Sequence, residues 1–211
     1  MSEFAFADGV AGPRKQPTQG RAKDTVAAIL EATFQVLDDA GADGLTTTRV
    51  AEVAGVSVGT LYQYFPNRDA LITALLADHL GSAIAAVERE CAAQVAAGAP
   101  LAVAIERVVR VFLHDKAERA DNARILNKAF GPAMLDDRPL VRAAAERAHR
   151  AVASVLAVHE PAEAALARAR LGCDALEGMI RGALAAPETL GDPAWVDQVV
   201  RITLAGLAGV G

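Results

Sequence analysis

Between Thr46 and Phe65 the sequence leaves room for only two short helices, with Gly55 at their joint and Ser57 just beyond it. A glycine reaches the positive backbone dihedral of a sharp turn without strain, and a serine placed after it can cap the helix that follows. Thr46 or Thr47 is placed to cap the first helix, and Val50, Val53 and Ala54 are expected on its inner face. In the second helix Leu61 and Phe65 lie four apart and share a core with Val56. That phasing turns Val58, Gly59, Thr60, Tyr62, Gln63 and Tyr64 mostly outward. So much polar and aromatic character on two turns of helix, behind a tight turn, points to a helix-turn-helix whose second helix reads DNA.

The rest of the chain fits an all-α fold, because no segment alternates with period two. Residues 1–20 hold Gly9, Gly12, Pro13, Pro17 and Gly20 without periodicity and are expected to form a flexible arm, basic through Arg14 and Lys15. Val26, Ile29, Leu30, Thr33, Phe34 and Leu37 then form a continuous stripe at the helical period, which Gly41 ends as a C′ glycine. Asn67 is placed to cap a long helical region over 67–97, with a break expected at Gly81-Ser82. Amphipathic segments follow from Leu101 and from Leu140, separated by Gly131-Pro132. The last two helices are expected at about 162–186 and 193–209, the final one opened by Asp192 as cap and Pro193 at its first position. The helix over 162–186 is apolar or small on two sides: Leu166, Ala169, Cys173, Leu176, Ile180 and Leu184 on one, Gly172, Ala175, Met179 and Gly182 on the other. Two apolar sides need two partners, one of them outside the chain's own core.

The run from Ala54 to Leu71, with Gly55-Val56-Ser57-Val58-Gly59-Thr60-Leu61-Tyr62-Gln63-Tyr64-Phe65-Pro66-Asn67-Arg68 at its centre, resembles the helix-turn-helix of the TetR (tetracycline-repressor) family. The resemblance covers roughly residues 21–81, and beyond it the chain is similar to the family only in length and helical character. It implies a three-helix DNA-binding domain at 21–66 with its motif at 45–65, and a helical effector-binding and dimerisation domain at 67–211. It also implies a homodimer, built through the last two helices, that binds a palindromic double-stranded operator and is released by a small molecule. On that footing Val58, Gly59, Thr60, Tyr62 and Gln63 are candidates to meet base edges. Thr47, Thr48, Ser57, Tyr64 and Arg68 are candidates for phosphate oxygens. Phe112, Phe130, Met134, His149 and Glu177 are candidates to line the pocket of an apolar or amphipathic effector. A DNA-binding regulator without a ligand switch, constitutive or activating, and a small-molecule-binding helical enzyme remain as alternatives.

Charge alone argues against DNA, since the formal net charge is −5. Over residues 11–81 six basic residues face eight acidic ones, but Arg14, Lys15, Arg21 and Lys23 sit together while Asp38, Asp39 and Asp43 cluster at the far end of the first helix. A locally basic docking face with few phosphate contacts predicts a shallow salt dependence of binding. The sequence contains no Gly-rich phosphate loop, nucleophile elbow, His-x-x-x-His or Cys-x-x-Cys, so no catalytic residues, cofactor or metal are expected. Cys91 and Cys173 lack metal-type spacing and fit a reduced, cytoplasmic chain. The apolar runs are shorter than the ~18 residues of a membrane span, and Met1–Val10 lacks the basic start of a secretory signal.

Overall fold

The computed structural model describes residues 20–131, 135, 138–186 and 188–207, and among these there is no strand. The helices are α1 (Gly20–Gly44), α2 (Thr47–Val53), α3 (Val58–Tyr64), α4 (Arg68–Ala96) and α5 (Leu101–Glu118). They continue as α6 (Ala120–Phe130), α7 (Pro139–Leu156), α8 (Ala162–Ala183), the single turn α9 (Glu188–Gly191) and α10 (Pro193–Leu207). The expected arm, with Arg14 and Lys15, lies outside the described residues.

Local chemistry sets four of the helix starts. Thr46 Oγ1 accepts the Arg49 amide at 3.2 Å to begin α2, Ser57 Oγ accepts the Thr60 amide at 3.0 Å to begin α3, and Asn67 Oδ1 accepts the Ala70 amide at 2.9 Å to begin α4. Asp192 Oδ1 accepts the Ala194 amide at 3.0 Å ahead of α10. Gly55 turns the chain between α2 and α3 with φ 65°, and Gly41 breaks the regular helix within α1 with φ 66°. The expected break at Gly81-Ser82 is absent, and α4 runs through it. Ser82 donates its hydroxyl to Asp115 on α5 at 2.8 Å, a tertiary bond in place of a cap.

The chain divides into two compact units. The first comprises the described residues up to His79 together with Asn122–Val141, and the second comprises Leu80–Asp121 with the residues from Arg142 onward. These boundaries differ from a division after residue 66. The cause is one apolar cluster that holds Ile29, Leu37, Val50, Leu61, Phe65, Leu71 and Leu75 with Ile125, Leu126, Phe130 and Leu140. Arg138 Nη1 reaches Asp69 Oδ1 at 3.0 Å and adds a polar tie within this unit. The second unit closes on Ile105, Val108, Leu113, Leu156, Ala169, Leu176, Ile180 and Val199.

Two inner faces differ from expectation. On α2 it is Val50 and Ala51 that are buried, while Val53 is 45% exposed. At 100° per residue positions 50, 51 and 54 cluster and 53 swings away from them. On α8, Gly172 faces α10, where a β-carbon would lie 2.8 Å from Leu207 Cγ, so this glycine serves packing within the chain. Among the described residues α4 alone is long and apolar enough to cross a membrane, and 72% of its most apolar window is buried in the protein. Burial accounts for that apolarity.

Candidate nucleic-acid interface

α2 and α3 carry the candidate site. Leu61 and Phe65 are fully buried and fix α3 by its inner side, so the outer side has a defined orientation. Thr48, Ser57, Val58, Gly59, Tyr62 and Gln63 are exposed, while Thr47 and Thr60 are half-buried. Tyr64 is half-buried and packs against the first unit's core, which leaves it less outward than its place in the sequence suggests.

Hydrogen bonds brace this surface from within. Thr47 Oγ1 and Tyr62 Oη lie 3.1 Å apart and join α2 to α3. Ser57 Oγ, already the cap of α3, lies 2.8 Å from Thr60 Oγ1. Arg68 donates from Nη2 to the Ala42 carbonyl at 2.6 Å and so pins the start of α4 to the end of α1. Arg68 is exposed, and its guanidinium carries further N–H donors beyond that one bond. Arg49, absent from the candidates above, is exposed on α2 and has no ion-pair partner among the described residues. Its signal in the sequence was its isolation: it is the single cation between Lys23 and Arg68. Arg21 and Lys23 are exposed in the first turn of α1.

The effector candidates do not form one group. In the second unit Lys116 Nζ stands 5.1 Å from the centroid of Phe112 and 3.5 Å from Glu177 Oε1, which links those two across α5 and α8. His149 on α7 is buried, with Nε2 3.6 Å from Asp174 Oδ1 and no partner for Nδ1. Phe130 belongs to the first unit's core, and Met134 lies outside the described residues. Sequence reasoning missed an open cleft of about 410 Å³ in the second unit, lined by Ala86, Arg110, Val111, His114, Asp115 and Glu118. Only a four-residue spacing of 110, 114 and 118 on α5 hints at it in the sequence. Burial pushes the thiols of Cys91 and Cys173 up to about 12, so both stay protonated and are poor nucleophiles at neutral pH.

Residues 29–75 match the family described as bacterial regulatory proteins, tetR family. Over 48 residues the chain is 44% identical to the class C tetracycline repressor protein of Escherichia coli, a match that spans 23% of this chain and 22% of that relative's length. The whole fold is similar to that of the fatty acid degradation regulator FadR from Bacillus halodurans, with a TM-score of 0.68 at 14% identity over 93% of this chain and 98% of the other. It is also similar to Thermus thermophilus FadR, a transcriptional repressor solved in complex with lauroyl-CoA, with a TM-score of 0.56 at 21% identity over 86% and 94% of the two chains. Residues 29–75 are thus a helix-turn-helix head of the tetR family of bacterial regulatory proteins, carried on an all-helical fold similar to that of the solved regulators.

Proposed function

We propose that this chain is a cytoplasmic, homodimeric transcriptional repressor that reads a palindromic operator with α3 in the major groove and leaves it when a small apolar or amphipathic molecule binds the second unit. The observation that carries this reading is the braced α2–α3 pair, whose buried Leu61 and Phe65 hold an exposed helix face in fixed orientation. Val58, Gly59, Thr60, Tyr62 and Gln63 meet base edges, and Thr47, Thr48, Ser57 and the free donors of Arg68 hold phosphates. Tyr64 reaches a phosphate with its hydroxyl while its ring packs inward, and Arg49 adds a further cation to that side.

Dimerisation is supported by an outward stripe on α8 of Leu171, Ala175, Gly178 and Gly182, spaced four, three and four apart, in which Leu171 is 73% exposed. Ile202, 50% exposed, and Gly206 extend it on α10, and β-carbons on Gly178, Gly182 or Gly206 would meet nothing within 4 Å among the described residues. Such a surface suits close approach of a second copy across a two-fold axis. The effector is supported by the cleft and by the Phe112–Lys116–Glu177 group, with His149 beside α8. The lauroyl-CoA bound by the Thermus thermophilus relative makes long-chain acyl thioesters the first class to try. Coupling runs through α4, which begins in the first unit and ends in the second. A ligand that favours one α4 conformer changes the spacing of the two α3 helices away from the ~34–36 Å of one DNA turn.

The test is selection of bound fragments from a random DNA library by the full chain at moderate salt, with its mass in solution recorded alongside. Enrichment of a palindrome by a dimer supports the reading. A folded dimer that enriches nothing overturns it.

A further inference from the structure

The polar groups on the outer side of α3 are largely spent within the protein. The Ser57 and Thr60 hydroxyls lie 2.8 Å apart, with the Thr60 amide also on Ser57, and the Tyr62 hydroxyl is held by Thr47. Between Val58 and Tyr64 there is no Arg, Lys, Asp or Glu. The side chains that best read guanine, by donating to O6 and N7, or cytosine, by accepting from N4, are therefore missing from this helix. What projects instead is apolar: the Val58 isopropyl group, 37% exposed, and the Tyr62 ring, 44% exposed. Gln63 is exposed and carries the single side-chain amide on the helix.

We infer that this chain selects its half-site through thymine 5-methyl groups, read by Val58 and the Tyr62 ring, with Gln63 supplying one bidentate contact to adenine. This rests on the operator-binding reading above and specifies the DNA it takes: a half-site of A·T pairs whose methyl groups carry the discrimination. Val58 and Tyr62 lie four residues apart on one side of the helix, about 6 Å along its axis, which spans one to two base steps of ~3.4 Å. The two methyl groups are therefore neighbours or next-neighbours in the sequence. The Thr47 hydroxyl positions the phenol so that the ring, and not the hydroxyl, is offered to the base.

The test uses the full chain and the operator recovered from random-library selection. Each thymine is replaced by deoxyuridine symmetrically in both half-sites, which removes only the 5-methyl group, and Kd is measured at one fixed salt concentration. At one or two positions per half-site the affinity is expected to fall about threefold to fivefold per methyl group, the worth of one buried carbon. Val58→Ala is expected to abolish the sensitivity at one of these positions while the slope of binding against salt stays unchanged. An enriched operator that tolerates deoxyuridine everywhere, or whose half-sites are fixed by G·C pairs, overturns the inference and leaves operator binding intact. A folded protein that enriches no sequence overturns both.

Discussion

Ser57 illustrates how a single side chain serves both the fold and the site. Its oxygen caps α3 and also engages Thr60. Ser57→Ala is expected to cost ~1 kcal/mol of head stability through the lost cap, read as a lower midpoint in chemical denaturation. It also frees the Thr60 hydroxyl, so base preference next to the proposed Thr60 contact should relax in the same variant. The cysteines give a pH dependence. Each thiol is raised by burial from an ordinary 9.0 to about 12, so the folded state holds its protons more tightly than the unfolded chain does. Both contributions are fully present below pH 9 and are lost as pH rises toward 12. Equilibrium unfolding measured across this window should therefore show stability falling with pH, and Cys91→Ala with Cys173→Ala should flatten that slope. An unchanged slope in the double variant would place the alkaline loss in other groups.

At the scale of elements, α8 contrasts two glycines that read alike in the sequence. Gly172→Ala would drive a methyl group into Leu207, itself 3% exposed, and overpacking of this kind costs ~1–3 kcal/mol. Gly182→Ala meets nothing within 4 Å among the described residues and should raise protomer stability by up to ~1 kcal/mol through helix propensity. If a second copy docks on that stripe, the same change weakens the dimer, by about tenfold if the overpacking costs ~1.4 kcal/mol. Denaturation of each variant, with mass measured against concentration, separates the two effects. The contrast also marks what the sequence could carry. Caps at Thr46, Ser57, Asn67 and Asp192 and the turn at Gly55 are local, fixed by neighbours within three residues, and the sequence exposes them directly. The partner of Gly172 is 35 residues away, and the Thr47–Tyr62 bond joins residues 15 apart. Ser82 looks like a break until Asp115 arrives from another helix. Val53 misleads because seven residues of α2 are too few to define a face by periodicity alone.

For the whole molecule, the first unit is discontinuous in the chain. Asn122–Val141 returns to it after the second unit has begun, and Ile125, Leu126, Phe130 and Leu140 enter the same cluster that orients α3 through Leu61 and Phe65. No local pattern announces this, because α6 is simply amphipathic and the residues that share its cluster lie some fifty to a hundred positions earlier. If this unit reads DNA as proposed, its inclusion of part of the second half of the chain ties the stability of the site to that segment. Phe130→Ala should therefore cost ~3–5 kcal/mol, as loss of a buried phenyl ring does, and the loss should fall on the first unit. In hydrogen exchange, amides of α3, of α4 up to His79 and of α6 from Asn122 are expected to open together in the variant, as one cooperative unit, with those of α8 and α10 little changed. Operator affinity should fall in the same variant although Phe130 lies outside the helix-turn-helix. If α6 opens alone, with α3 and the start of α4 protected as before, the cluster is not one cooperative unit and the helix-turn-helix stands without it.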